Sequence, residues 1–379
     1  MANAWKEVEW IASESLIHLE DALNIGRIAT RDKTAEFNRT PDGYAKGGTV
    51  NIVTNPVYDA KEFATEIEIQ EIRSTSRPLT IEKLFDVSAT ITAKERRLDF
   101  TDFSSQVIMP AAYAIAEKVE AYLGSKITNA AGMYASDDLF ASAADMALAK
   151  KAATFQQVSP TGRFCLVNDT LEAKLLGAAY FNSSNSRGDA GSAVFTNGSM
   201  GHAMGMDFYS SLHLPESSAV AGTCVGQTNN ASGVNNKVGS LTLTTDATTG
   251  TAKVGDHLKI AGVRRHLIVG VQANATATSI TLRDPITDII PDNAAITVVS
   301  SGNTNVFMGA IFDDSCLALA SPILDPASDK PSFSVSNNGY SMRVVQGYDQ
   351  KAKTETISID MLCGAEVYDP RRVTALYEF

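Results

Sequence analysis

The sequence predicts an α+β protein into which a small all-β domain has been inserted, and three observations predict it. Between Tyr209 and Phe307 there is no Phe, Tyr or Trp, although the whole chain holds 2 Trp, 11 Tyr and 15 Phe. Inside that block, short runs alternate apolar and polar residues: SLTLTT (240–245), GDHLKIA (255–261), HLIVGV (266–271), TSITLR (278–283) and AAITVV (294–299). Such alternation, broken by Gly, Asp, Asn and Pro, marks half-buried strands. Without aromatics the block must fill its interior with Val, Ile and Leu, which suits a small barrel or sandwich over 222–303. Outside it, residues 101–128 carry apolar side chains at helical spacing, and two charged alternating arms precede them.

Taken in order, residues 1–36 read as an amphipathic helical segment. Trp5, Val8, Ile11, Ser15, Leu19 and Leu23 step along one side, with Trp10 and Ile17 beside them. The stretch 41–48 is rich in turn formers, and VNIV (50–53) starts a strand. Over 65–73, Ile67 and Ile69 alternate with Glu66, Glu68 and Gln70; after STSRP the chain resumes with LTIEKL and FDVSATIT. Two charged arms around a polar section describe a long hairpin. A hairpin with both faces solvated stabilises itself little, so it leans on something else, another subunit being one candidate.

The long helix over 101–128 is capped by Thr101 or Asp102, with Val107, Ala111, Ile115, Val119, Leu123 and Ile127 at four-residue spacing. Pro110 lies inside it and either begins a fresh helix at its first turn or kinks the run, an interior Pro costing about 3 kcal/mol; a bent helix is expected. A second helix is predicted over 137–155, capped by Ser136. A third, over 170–181, follows the strand RFCLV (163–167) and is capped by Asp169. Segments 332–336, 341–346 and 354–362 read as strands.

Composition excludes several functions. With 379 residues, 44% of them hydrophobic, the chain holds two or three packed units at roughly 150 residues each and is not disordered. A net charge of −11 argues against a protein that wraps nucleic acid through phosphate contacts. Cys165, Cys224, Cys316 and Cys363 lie far apart with no CxxC spacing, so neither a disulfide framework nor a zinc cage is expected, and a reducing compartment suits them. No secretory signal opens the sequence, and the longest apolar run, 107–116, is about half of what a spanning helix needs.

Chemistry is sparse. NGSMG (197–201) has Asn197 where a nucleophile elbow needs Gly, and no strand leads directly into Ser199; a flexible loop is the expectation. The five histidines (His18, His202, His213, His257, His266) are dispersed, and the nearest pair, His257 and His266, falls on different predicted strands. Asp313 and Asp314 are consecutive, about 100° apart on a helix, and read as a charge pair at a helix N-terminus. The doublets Arg96–Arg97 and Arg371–Arg372 are too short for a nucleic-acid footprint; they are solvated, bridge acidic neighbours, or reach another subunit. Trp5 and Trp10 sit in a terminal arm, docked within the subunit or on a neighbour. No catalytic residue, metal site or cofactor is expected.

Six segments, in order, resemble a known family: SRPLTIEKLFDVSATIT (76–92), LDFTDFSSQVIMPAAYAIAEKVEAY (98–122), GHAMGMDFYSSLHLP (201–215), KVGDHLKIAGV (253–263), NTNVFMGAIFDDSCLALASPI (303–323) and ISIDMLCGAEVYDPRRVTALY (357–377). They are similar to the major capsid proteins of P-twenty-two-like tailed bacteriophages, within the HK-ninety-seven-type capsid fold. The resemblance implies an N-terminal arm and leading strand (1–55), an extended hairpin loop and return strand (56–97), and a spine helix with peripheral domain (98–160). It further implies an axial domain (161–221), an inserted β-barrel (222–303), and a closing helix and strands (304–379), with 303–323 holding a re-entry helix and Leu362–Gly364 a turn.

In function, the resemblance implies a structural, non-enzymatic subunit. It would assemble with a scaffolding protein into pentamers and hexamers of an icosahedral head enclosing double-stranded DNA, in the host cytoplasm. A portal protein, and a decoration protein as an optional addition, would be its partners, with no membrane and no sequence-specific DNA contact. The negative charge fits a container that does not grip its contents. Subunit contacts would fall on Trp5, Trp10, Lys61, Phe63, Glu66, Glu68, Glu71, Arg73, Arg96 and Arg97. The insert is short for the family, Cys363 stands where many relatives have Tyr, and Lys61, the one candidate for a cross-link, has no identified partner. The alternatives are an encapsulin-like nanocompartment shell, a cytosolic hydrolase using Ser199, and a β-rich adhesin or tail component.

Overall fold

The computed structural model describes residues 2–38, 48–54, 76–92, 104–230, 233, 235–328 and 330–379. In chain order, α1 (Ala2–Ala22) leads through two short helical turns to β1 (Thr49–Val53); β2 (Ser76–Thr80) and β3 (Lys83–Thr92) precede the long helix α2 (Met109–Ile127). Next come β4 (Gly132–Ser136), α3 (Ala143–Phe155), β5 (Arg163–Val167), α4 (Asp169–Gly177) and α5 (Asp189–Asn197). Then come β6 (His202–Ala203), β7 (Met206–Ser210), β8 (Ser218–Val220), β9 (Val225–Gln227) and β10 (Thr242–Thr244). The middle continues with β11 (His257–Ile260), β12 (Leu267–Ile268), β13 (Ser279–Thr281) and β14 (Ala295–Val298). The chain closes with β15 (Thr304–Asp313), β16 (Leu317–Ala320), β17 (Ser332–Asn337), β18 (Tyr340–Asp349), β19 (Thr354–Val367) and β20 (Val373–Glu378).

The described residues fall into two units. The first takes its parts from 1–52, 77–126 and 317–368. Its five-stranded sheet has the order β16-β19-β18-β17, with β3 also on β19. β19 pairs with β3 up to Cys363 and with β16 from Gly364 onward, so one strand serves two partners in succession. α1 buries Val8, Ile11, Ser15, Leu19 and Leu23, the side anticipated from the sequence, and packs on β17 and β18. Phe37, Ile52, Leu79, Ala318 and Ala320 form a smaller core beside it.

The second unit is drawn from 53–76, 127–316 and 369–379. Its seven-stranded sheet runs β4-β20-β15-β5-β7-β6, with β8 on β15. β20 with β4 and β5 with β7 are parallel; the other pairs are antiparallel. Leu139, Phe140, Met146, Leu171, Leu175, Phe181, Met206, Ile311 and Leu376 fill the core under α3 and α4. Within this unit the aromatic-free block forms its own β unit: a four-stranded sheet β12-β11-β14-β9 and a two-stranded sheet β10-β13. Bridges at Thr228↔Thr245, Val225↔Thr249 and Val269↔Leu282 join the two sheets. Leu243, Leu258, Ile260, Ile280, Ile286, Ile290 and Ile296 make an aliphatic core, as the composition required.

Several expectations are corrected. The second helix begins at Ala143, not Asp137, and its cap is Ser142, whose hydroxyl accepts from the Asp145 N–H at 3.2 Å. The preceding loop is pinned by the Asp145 carboxylate, which accepts from Phe140 N–H, so Phe140 holds a left-handed φ of 59° and the helix cannot extend backwards. The third helix ends at Gly177, a separate turn covering Ala179–Asn182, and Asn168 caps it by accepting from Leu171 N–H at 2.9 Å. Residues 304–313 and 317–320 are strands rather than a re-entry helix, and Asp313 lies at a strand end. Leu362–Gly364 is continuous strand rather than a turn.

A π-helical turn over Ser104–Ile108 runs directly into α2, and Pro110 is the second residue of α2. Pro110 has no N–H to donate to the preceding turn, and the widened π turn lies where that bond is missing. The buried stripe is Ile108, Ala112, Ile115, Ala116, Val119, Leu123 and Ile127. Strict four-residue spacing would drift about 40° per step around a helix, and the π turn absorbs that drift at the N-terminal end.

Candidate functional site

Of the ten side chains expected at subunit contacts, Lys61, Phe63, Glu66, Glu68, Glu71, Arg73, Arg96 and Arg97 lie outside the described residues. Trp5 and Trp10 both fall on α1. Trp10 is 47% exposed and Ile17, two turns on, 55% exposed, on the side of α1 turned away from β17 and β18. An exposed Trp and Ile at i, i+7 share one helix face, so α1 carries an apolar stripe on either side of its axis. One stripe is buried; the other is open.

The arm is held to its own unit by polar contacts that the sequence did not reveal. Glu120, on α2, is 2% exposed, and its carboxylate accepts from Asn24 N–H (2.9 Å), Ile25 N–H (3.0 Å) and Gly26 N–H (3.0 Å). These amides belong to the turn after α1, so a side chain from another helix caps it. Arg31 donates to the Tyr340 hydroxyl at 2.5 Å with its guanidinium 4.7 Å from that ring's centroid. Asn337 and Asn338 donate to Glu20 at 3.1 and 3.2 Å. The one sequence signal for Glu120 was a carboxylate standing within an otherwise apolar stripe.

A second polar cluster locks α2 to β19. The Tyr122 hydroxyl donates to Glu82 at 2.8 Å and accepts from the Ala365 N–H at 3.2 Å. Lys126 lies 3.3 Å from Glu82, 3.5 Å from Glu366 and 5.3 Å from the Tyr122 ring centroid. The hydrogen bond from Tyr122 holds the Glu82 carboxyl below its ordinary value, opposed by burial and helped by Lys126. Burial first, and the Glu82 charge after it, push the Tyr122 phenol up. Cys363 is buried nearby, and burial pushes its thiol up to about 12, so it is an inert core residue.

The doublet Arg371–Arg372 bridges acidic neighbours inside its own unit. Arg371 binds Asp369 through two nitrogens, at 2.7 and 2.9 Å. Arg372 lies 3.3 Å from Asp313, whose fully buried carboxylate also accepts from Ser315 N–H (3.1 Å) and Ser159 N–H (3.2 Å). Asp313 is thus the hub of a buried ion pair rather than a helix-terminal charge.

The hydrolase reading gains nothing. Ser199 comes after the left-handed Gly198 that ends α5, with no strand-to-helix elbow. His202 and Asp207 pair across the β6–β7 hairpin at 2.7 Å, both exposed, as a cross-strand ion pair does. Among the described residues no three His, Cys, Asp or Glu side chains are grouped to hold a metal, and no helix is long and apolar enough to cross a membrane. His257 and His266, assigned to separate strands, are brought together, their ring centroids 6.3 Å apart.

No family model matches the sequence, and no curated protein matches it. Solved structures do. A chain of Mycobacterium phage Che8 is similar with a TM-score of 0.53 and 13% identity, over 93% of this chain and 90% of that one. The capsid structure of Cyanophage P-SCSP1u is similar at TM-score 0.48 and 12% identity, over 89% and 85% of the two chains. The asymmetric unit of the bacteriophage PhiM1 mature capsid is similar at TM-score 0.46 and 11% identity, over 87% and 82%. The chain shares the HK-ninety-seven-type α+β fold of the phage chain.

Proposed function

We propose that the chain is a major capsid protein, a structural subunit that assembles with a scaffolding protein into pentamers and hexamers of an icosahedral phage head enclosing double-stranded DNA. The observation that carries this reading is the likeness to a phage chain over about nine-tenths of both lengths. In this reading 1–55 is the arm and 56–97 the extended hairpin. The spine and peripheral domain cover 98–160, the axial domain 161–221, the inserted β domain 222–303, and the closing strands 304–379. The ion-pair hubs around Glu82 and Asp313 stiffen the subunit, and the open α1 stripe gives an apolar contact for a neighbour. A portal protein occupies one vertex, and the subunit performs no chemistry.

The test is co-expression with a scaffolding protein, then sedimentation and negative-stain microscopy. Closed shells of megadalton mass are expected; a chain that stays monomeric with scaffold present overturns the reading.

A narrower expectation concerns the arm. Replacing Trp10 by Ala together with Ile17 by Ser changes two exposed side chains, so the unfolding free energy from urea titration should move by no more than about 0.5 kcal/mol. The same pair of changes should raise the concentration needed for assembly at least tenfold, since a truncated aromatic anchor at a packed contact costs about 2 kcal/mol. Light scattering against subunit concentration reads it out. Unchanged assembly would place the arm's outer face in solvent in the finished shell.

A further inference from the structure

The β unit contains a histidine pair to which shell assembly assigns nothing. His257 opens β11 and His266 stands immediately before β12; the antiparallel register His257↔Ile268 and Leu258↔Leu267 brings the two rings into edge-to-face contact. His257 is 7% exposed, and the Nδ1 atom of each ring is enclosed without a hydrogen-bond partner. The Ala131 carbonyl is the backbone acceptor beside the His257 ring, while Nδ1 has none.

Beside it lies a clasp. Arg283, just past β13, donates to the Asn129 carbonyl at 3.0 Å and the Ala130 carbonyl at 3.3 Å. Two consecutive carbonyls, 129 and 130, therefore accept a donor of the β unit, next to the carbonyl beside the His257 ring. They lie in the turn leading to β4, an edge strand of the seven-stranded sheet. The clasp is polar, small and made to backbone, so its strength depends on the charge state of what surrounds it.

The charged groups acting on the pair are cations: Arg283 and His266 on His257, and Lys259 on His266. The nearby carboxylates are engaged elsewhere. Asp256 accepts from Lys253 N–H (2.7 Å) and Gly222 N–H (3.1 Å), Asp284 pairs with Arg283 at 3.0 Å, and Asp288 lies 3.7 Å from Arg265. A proton added to either Nδ1 would be a donor without an acceptor, in a dry site already facing positive charge.

We propose that His257 and His266 form an acid-operated latch, closed when both rings are neutral, whose protonation releases the β unit from the 129–131 turn while its own aliphatic core stays folded. Burial first, then the His266 and Arg283 charges, hold His257 down to about 3; burial and Lys259 hold His266 down to about 4. Above the free-histidine value of about 6.5 neither the open nor the closed state takes up protons, so pH does nothing there. As pH falls below it, the open state binds protons that the closed state refuses. Closure then weakens by up to roughly tenfold per pH unit for each ring, roughly a thousandfold for the pair at pH 5. The loss levels off only below the closed-state values.

The test is hydrogen exchange of the full chain at pH 7.5 and pH 5.0, corrected for the intrinsic pH dependence of exchange. Peptides covering the 128–132 turn should lose protection at pH 5.0, while those covering β5, β15 and the β unit's core strands β11 and β14 keep it. In the double variant His257→Gln and His266→Gln, which keeps polar side chains but no titrating ring, protection of those peptides should be the same at both pH values. Wild-type protection that persists at pH 5.0, or loss in the double variant equal to that in the wild type, overturns the proposal. If the variant does not fold, ring-proton titration of the wild-type chain decides: midpoints well below 6.5 for two of the five histidines support the latch, and five ordinary midpoints overturn it.

Discussion

Replacing Glu120 by alanine is expected to destabilise the chain by about 4 kcal/mol, because three backbone donors, two of them on buried residues, lose a charged acceptor at once. Asn24, Ile25 and Gly26 present their N–H groups to one carboxylate within 3.0 Å. Glu120 projects from the buried stripe of α2 between Val119 and Leu123. Glutamine keeps one accepting oxygen but turns an NH2 group toward donors, so about half the loss is expected. The urea midpoint checks both, and hydrogen exchange at residues 24–26 should rise before global unfolding. A change below about 1 kcal/mol for alanine would show that the turn after α1 is solvated in the folded chain.

The second large effect is at Gly364. A Cβ built there would stand 2.2 Å from the Thr80 carbonyl oxygen and 3.0 Å from the Ile81 Cα. Both obstacles are backbone, so no rotamer change relieves them, and the reason for glycine is space rather than torsional freedom. Gly364 is also where β19 exchanges β3 for β16, so a shift there disturbs two strand pairings together. Valine should cost more than about 4 kcal/mol, the range in which marginally stable chains stop folding. Loss of soluble protein on expression at 37 °C, with partial recovery for alanine at lower temperature, is the expected outcome. Gly177, at the end of α4 with nothing within 4 Å of its Cβ position, is the control: alanine there should be neutral or slightly stabilising.

Much of the fold was legible where one face of an element is wet. The strands β10 to β14 sit inside the alternating runs, because alternation records a wet face and a dry face directly. The buried and open sides of α1 were separable for the same reason. Legibility failed where both faces are dry. β15 is buried along nearly its whole length and β16 throughout, so GAIF and LALA carry no period to oppose the helix that the resemblance implies there. It failed again for contacts made through backbone: the amides that Glu120 caps lie 94 to 96 residues away and carry no side-chain signature. The histidine pair was hidden by register, since only the pairing of β11 with β12 decides that two residues nine positions apart touch. Residues expected on the hairpin lie outside the described chain, so the assembly contacts assigned to them stand as part of the proposed function.

The place of β20 in the seven-stranded sheet has a consequence for how the chain folds as it is made. β20 lies between β4 and β15, pairing Thr374 with Gly132 on one side and Val373 with Phe312 on the other. Until residues 373–378 have left the ribosome, β4 has no partner and β15 keeps one edge open over most of its length. An open, largely apolar edge is the feature most prone to pair with the wrong chain. The β unit, whose pairings all close within 225–298, can finish long before. A nascent chain of this protein therefore carries a completed β unit beside an unfinished sheet while the stretch from β14 to β20 is made, and that interval is when a chaperone would find something to hold.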